Sequence, residues 1–225
     1  MFQCSRPLAI ASSLFNAIRH PADGSSVATL GELLGNTAST HLLLKMFTTE
    51  DGRKIMKERP FISANSINEK ALNCARGSLG YEYFSFMSEN NISADSRAPI
   101  RWMDSNDPRS YVILRYRQVH DFWHVLAGNI PISVVGELSL KWMEFFQTGL
   151  PMTLLAGGFA PMFLLDANSR SFVLNVAFPW AIRNAPPHAS FLLGVYFEKY
   201  LHIQVSELRQ KLGIIPFPID RLPVS

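Results

Sequence analysis

Apolar residues recur at helical spacing along most of this chain. Between Ser26 and Thr49 they fall at Val27, Leu30, Leu33, Leu34, Leu42, Leu44, Met46 and Phe47, with no proline among them, which predicts helix. Gly52 to Glu58 reads as a short helix stopped ahead of Pro60, since the residue before a proline is pushed out of the α region. Ser66 to Arg76, with Gly77 behind it, has start and stop signals, and Leu79 to Glu89 is an aromatic-rich helix ending at Asn90-Asn91. Residues 91–108, carrying Ser93, Asp95, Ser96, Pro99, Asp104, Asn106, Asp107 and Pro108, predict a long connection, and connections of that length often serve function. Arg109 to Ala127 predicts a strong helix closed by Gly128-Asn129 and Pro131. Ser133 to Thr148 is the next, closed by Gly149 and Pro151. His188 to Tyr200 and Val205 to Leu212 complete the helices, with Gly213 as a C-terminal cap and Pro216 and Pro218 marking an extended tail. No period-two pattern competes, and no repeat or low-complexity tract is present. The expected fold is all-α, a single irregular multi-helix domain over residues 1–225.

Composition narrows the function. A chain of 225 residues is long enough for a sizeable core, and 48% hydrophobic against 17% charged residues implies above-average buried or lipid-facing surface. The net charge is only +3 with Lys and Arg scattered, so the electrostatic footprint of a nucleic-acid binder is missing, while weak attraction to an anionic lipid surface is compatible. Cys4 and Cys74 form no Cys-x-x-Cys pair, which excludes a thiolate zinc site and suits a reducing compartment. The apolar stretch Leu8 to Ile18, interrupted by Ser12, Ser13 and Asn16, makes a poor signal sequence and reads as the start of the folded domain.

The chemistry concentrates in Arg117-Gln-Val-His120-Asp121-Phe-Trp-His124. At about 100° per residue, Arg117, His120, Asp121 and His124 share one stripe of an otherwise apolar helix. Burying such groups without partners would cost several kcal/mol, so either a cation collects them or they face a water-filled cleft. His-x-x-x-His is the usual helical way to present two imidazoles to one metal, and Glu137 on the following helix, beyond the Gly128–Pro131 break, is the best carboxylate to complete the set. Two assignments compete: a facial triad of His120, His124 and a carboxylate, suited to iron and oxygen chemistry, or a zinc site on His120, His124 and Glu137 with Asp121 as base. A divalent ion is expected in either case, zinc or iron, with magnesium a further candidate. Arg117 is either the i,i+4 ion-pair partner of Asp121 or a clamp for a substrate carboxylate or phosphate; Lys141 has the same two readings toward Glu137. His20, His41, His188 and His202 lack comparable surroundings.

The His120-Asp121-x-x-His124 motif followed by Gly136-Glu137 resembles the signature of the coenzyme Q (ubiquinone) biosynthesis protein 4 family. Further segments match in order: Gly31-Glu-Leu-Leu-Gly35, Gly52-Arg-Lys-Ile-Met-Lys-Glu-Arg-Pro60, Ala94-Asp-Ser-Arg97, Tyr111 to Gln118, Tyr196-Phe-Glu198 and Glu207 to Ile214. The resemblance spans about residues 25–215. It implies an all-helical protein, usually dimeric, attached peripherally to membranes, that supports the quinone-biosynthesis machinery. It also implies removal of the ring carboxylate of a polyprenylated benzoate with hydroxylation at that carbon, and a metal motif carried by His120, Asp121, His124 and Glu137. The family pattern has eleven residues between the second His and the Glu, whereas twelve, Val125 to Gly136, stand here. An extra residue in the turn would be absorbed; inside the helix it would rotate Glu137 away. The eukaryotic presequence is missing, which favours a bacterial, cytoplasmic, peripherally membrane-associated chain.

Leu150 to Leu165 is an uncharged run interrupted by Pro151, Gly157, Gly158 and Pro161, too short and broken for a membrane span of roughly 20 residues. It reads as buried core, or as the wall of a groove for an isoprenoid tail lined by Met152, Leu154, Leu155, Phe159, Met162 and Phe163. Two function classes follow: an enzyme acting on a prenylated aromatic acid beside the metal, or a non-catalytic lipid-binding scaffold organising quinone-biosynthesis enzymes. An HD-type phosphohydrolase would need further His and Asp partners that the chain does not supply in any compelling pair.

Overall fold

The computed structural model describes residues 6–19, 24–155 and 161–223. Its helices are α1 (Arg6–Arg19), α2 (Gly24–Leu34), α3 (Asn36–Met46), α4 (Glu50–Glu58), α5 (Ala64–Leu72), α6 (Leu79–Glu89), α7 (Pro108–Leu126), α8 (Val134–Thr148), α9 (Pro151–Leu154), α10 (Ala167–Phe172), α11 (Phe178–Arg183) and α12 (Val205–Leu212). Among the described residues there is no strand, only one isolated bridge between Ser78 and Gln204, so the fold is all-α as expected.

Helix α7 is the axis of the molecule, packed by α3, α6 and α12. It is buried on nearly every side, from Ser110 through Leu126 with few gaps, its apolar faces by packing and its charged groups by ion pairs such as Arg115 with Glu198. Val112, Ile113, Val119, Phe122, Trp123, Val125 and Leu126 are wholly inaccessible; each such side chain contributes about 1.5–3 kcal/mol relative to exposure. Phe122 is sandwiched between Tyr83 of α6 at 4.1 Å and Phe197 at 5.0 Å, ring centre to ring centre. The helix starts where Asp107 accepts the Arg109 amide at 2.8 Å and Pro108 supplies a preset φ. At its other end the Arg209 guanidinium donates to the carbonyls of Leu126 and Val125, and the Phe217 amide donates to that of Ala127. The last carbonyls of α7 are thereby satisfied, and a cation sits at the negative end of the helix.

The predicted helices at 79–89 and 205–212 match in their bounds, and those at 109–127 and 133–148 shift by one residue or none at each end. The 26–49 segment is divided at Gly35, so that α2 lies against α1 and α9 while α3 lies against α7. The expected helix at Ser66–Arg76 starts earlier, at a Ser63 capping box, and stops at Leu72. The expected helix at His188–Tyr200 is overturned: turns and two short 3-10 segments, Leu192–Gly194 and Phe197–Lys199, occupy this stretch. Its backbone groups find partners elsewhere, Ser190 N on Leu212 O and Leu192 N on the Gln147 side chain, and its apolar residues are buried on all sides, leaving no amphipathic stripe to define a helix. A π-helical segment at Val173–Ala177 joins α10 to α11, whose second residue, Pro179, has no amide to donate.

Of the residues named for an isoprenoid groove, Met152 and Met162 are buried in the core, Leu154 and Leu155 are half-buried, and Phe163 is 79% exposed. Phe159, Gly157 and Gly158 lie outside the described residues, as do Cys4 and His20. None of the helices of the described residues is long and apolar enough to cross a membrane.

Candidate metal centre

The HDxxH stripe of α7 faces the first half of α8. His120 and His124 are one helical turn apart, and their Nε2 atoms approach to 3.2 Å. Glu137, in the first turn of α8, places Oε1 3.2 Å from His124 Nε2 and Oε2 3.8 Å from His120 Nε2. Ligand atoms of the three residues lie within 4.8 Å of one another, the one such group of three among the described residues.

The turn between the helices makes this convergence. Residues 127–133 absorb the whole reversal, with Gly128 and Asn129 at positive φ of 106° and 58°. Twelve residues between His124 and Glu137 therefore do not rotate the carboxylate off the site. Ser133 caps α8 by accepting the Gly136 amide, and Gly136 packs so close to the turn that a Cβ there would lie 2.0 Å from the Pro131 carbonyl oxygen. A side chain at 136 would thus lever the start of α8, and Glu137 with it, away from α7.

Both imidazoles are oriented through their other nitrogen. His124 Nδ1 lies 2.8 Å from the Ile130 carbonyl, while the Ile130 amide donates to the His124 carbonyl, so turn and ring are locked together. A carbonyl only accepts, which makes Nδ1 the protonated nitrogen of His124 and leaves a lone pair on Nε2. His120 Nδ1 is held by the Glu144 carboxylate. Two nitrogen lone pairs and a carboxylate thus point into one space, an arrangement that is repulsive unless a cation occupies it. Two nitrogens each about 2.0–2.1 Å from a common ion stand roughly 3.0–3.4 Å apart, and the observed separation falls in that range. Two imidazoles and a carboxylate suit zinc or ferrous iron, and suit magnesium poorly.

The charges support the same reading. Burial, with the positive charge of Lys141, holds the His120 pKa below its ordinary value against the pull of Glu144, keeping the ring neutral as a ligand must be. Burial raises the pKa of Glu137, but a hydrogen bond from His124 and positive charge on the His120 side and at Lys141, present when a proton rather than a metal ion occupies the gap between the rings, outweigh it and hold the carboxyl well below the usual range. Glu144 is likewise pushed up by burial, yet Lys141 and His120 bring it down to about 2.

The structure does not bring the other two residues of the stripe into the triad. Asp121 is ion-paired with Arg97, whose guanidinium also reaches the Arg117 and Ala94 carbonyls. Arg117 pairs with Glu32 of α2 at 2.8 Å and donates to the carbonyls of Ala28, Ala98 and Pro99, so it is paired neither with Asp121 nor toward the histidines. Lys141 pairs with Glu144 at 2.7 Å.

The sequence matches the family model for coenzyme Q (ubiquinone) biosynthesis protein Coq4 over residues 2–218. The chain belongs to this family. Relatives of this Coq4-family protein include two described as ubiquinone biosynthesis protein COQ4 homologs, mitochondrial. The Rattus norvegicus protein is 39% identical over 207 residues, 92% of this chain and 75% of the relative. The Homo sapiens protein is 38% identical over 210 residues, 93% and 76% of the two chains. Among solved structures, a crystal structure of a candidate ubiquinone biosynthesis protein from Nostoc punctiforme superposes with a TM-score of 0.69 at 20% identity, covering 95% of this chain and 98% of that one. At that identity it supports the fold alone.

One residue of the candidate site is not singled out by helical spacing around the histidines. Glu144 is wholly inaccessible and hydrogen-bonded to His120, Tyr116 and Lys141. Its signal was present: Glu137 and Glu144 are seven residues apart, two turns along one face of α8.

Proposed function

We propose that this Coq4-family protein holds a divalent metal, zinc or ferrous iron, on His120, His124 and Glu137, and binds there the carboxylate of a polyprenylated benzoate. The reaction is loss of that carboxylate as carbon dioxide with gain of a ring hydroxyl, a two-electron oxidation in which the ring acid, water and dioxygen give the phenol, carbon dioxide and hydrogen peroxide. The observation that carries the reading is the meeting of both Nε2 atoms and the Glu137 carboxylate at one point while both Nδ1 atoms are engaged elsewhere. When bound, the metal supplies Lewis-acid polarisation and, if iron, oxygen chemistry.

Charge balance favours an anionic substrate. Asp121 is neutralised by Arg97 and Glu144 by Lys141, so only Glu137 offsets a divalent ion and the loaded centre keeps a net positive charge. Access is present too, since the side chains of His120 and Glu137 remain 21% and 34% exposed. Ile132 and Val134, on either side of the α8 cap, are half exposed and put apolar surface beside the site, as a prenyl tail or a lipid surface requires. Other quinone-biosynthesis proteins are the natural partners of such a centre.

The test is metal analysis of the purified protein with decarboxylation assayed with and without oxygen for each metal. One bound ion, lost in Glu137→Gln and His124→Ala, with oxygen-dependent carbon dioxide release, is the expected result. A metal-bound protein with no turnover under any metal would instead support a lipid-presenting scaffold, and a wild-type chain that takes up no metal refutes the site.

A further inference from the structure

We propose that Glu144 is the positioning residue of the metal centre: it fixes the tautomer and ring orientation of His120 and so sets the affinity for the ion. The inference rests on the metal reading above and extends it to a residue outside the HDxxH…E pattern.

Glu144 has no route to the metal itself. It lies on the far side of the His120 ring, where one oxygen, Oε1, meets Nδ1. The other, Oε2, accepts from the Tyr116 hydroxyl and, at 2.7 Å, from Lys141 Nζ. The side chain is 0% exposed, and both of its oxygens are engaged by these three residues. An anionic carboxylate only accepts, which forces the His120 proton onto Nδ1 and turns the Nε2 lone pair toward Glu137 and His124.

The two histidines are therefore held differently. His124 is fixed by a neutral carbonyl of the adjoining turn, whereas His120 is fixed by a charged group. A charge-assisted bond is roughly twice as strong as a neutral one and makes the imidazole a better donor to a metal. Tyr116 and Lys141 hold Glu144 in place; without them its second oxygen would be orphaned in the interior. Helix α8 thus delivers both carboxylates from one face: Glu137 as ligand and, two turns on, Glu144 behind the opposing ligand.

The experiment uses the full chain loaded with zinc and with nitrogen-15 histidine. Zinc affinity is measured by competition with a chromophoric chelator in wild type, Glu144→Gln and Glu137→Gln. Long-range proton–nitrogen spectra read the tautomer of each ring. In wild type, His120 should carry Nδ1–H, with that proton further downfield than the one on His124. Glu144→Gln should weaken zinc binding by about ten- to a hundredfold. It should also move the His120 Nδ1 proton upfield while leaving that of His124 in place, a change that loss of stability alone would not produce. Zinc affinity within about threefold of wild type in Glu144→Gln, beside clear weakening in Glu137→Gln, overturns the proposal. So does a His120 ring bound through Nδ1 in wild type, a result that stands even if the Gln variant fails to fold. A wild-type chain that binds no zinc or iron at all refutes the metal reading, and this proposal with it.

Discussion

Replacing Arg117 with Met separates two roles for this residue, because the structure commits it to Glu32. The two side chains are 8% and 2% exposed, and Glu32 additionally accepts the backbone amides of Arg101 and Trp102. The pair therefore ties α2, the 98–102 stretch and α7 together. Met has about the length of the Arg stem but neither charge nor donors. The substitution leaves the Glu32 carboxylate buried without its cation and strips the Ala28, Ala98 and Pro99 carbonyls of their donor. Removing one member of a buried ion pair costs about 3–5 kcal/mol, against roughly 0–1 kcal/mol for an exposed pair. In a chain of this size each kcal/mol moves the melting temperature by about 2–4 °C, so Arg117→Met should melt roughly 6–20 °C lower. Urea unfolding should show the midpoint falling with an unchanged slope, and adding Glu32→Gln to Arg117→Met should cost less than the two single changes combined, by about 1–3 kcal/mol. A loss below about 1 kcal/mol, with the double variant additive, would refute the reasoning and return Arg117 to the alternative of a free substrate clamp.

Acid should weaken the metal-free protein in two stages. The native pKa of His120 lies below that of the unfolded chain, so the unfolded state binds more protons as pH falls through about 6.5 and stability drops from there downward. Glu144, lowered from 4.5 to about 2, contributes stability that is complete above the higher value and gone below the lower one. At about 1.4 kcal/mol per tenfold in proton affinity the Glu144 part of this second stage is worth about 3 kcal/mol, and urea melts between pH 7.5 and 2.5 should show a loss smaller by that amount in Glu144→Gln than in wild type, the remainder coming from carboxylates such as Glu137 that are also held low. A flat profile from pH 4.5 to 2.5 would contradict the Glu144 environment. Gly136→Ala should destabilise by about 1–3 kcal/mol and weaken metal binding, since its Cβ meets the Pro131 carbonyl oxygen at 2.0 Å and Glu137 must move with the backbone; retained affinity in titration would show that the turn yields without carrying Glu137 along.

The helices that were legible in the sequence are those whose hydrogen bonds are local and whose ends carry chemical marks. Helix α6 stops at Asn90-Asn91, α7 starts behind Asp107-Pro108, and α8 ends at a glycine in the left-handed conformation. Residues 188–200 were illegible for the opposite reason: the Gln147 side chain, more than forty positions away, bonds the Ser190 carbonyl and the Leu192 amide, and no local pattern encodes that.

The same distinction runs through the site. Helical spacing shows which side chains share a face, and it placed His120 and His124 together correctly. It says nothing about what stands opposite, so it offered nearby partners for charges whose real partners are distant. Spacing offers Arg117 to Asp121, yet Arg97 takes it; Arg117 goes to Glu32, 85 positions earlier in the chain. Spacing offers Lys141 to Glu137, yet it takes Glu144. Each exchange removes a charge from the mouth of the site and leaves Glu137 as the carboxylate free to meet a cation. A helix stripe with four ionisable groups thus resolves into two imidazoles that face Glu137 and two residues that fasten α7 to its surroundings. The acidic partner comes from the next helix, and the strictness of the Gly128–Ser133 turn decides whether it arrives.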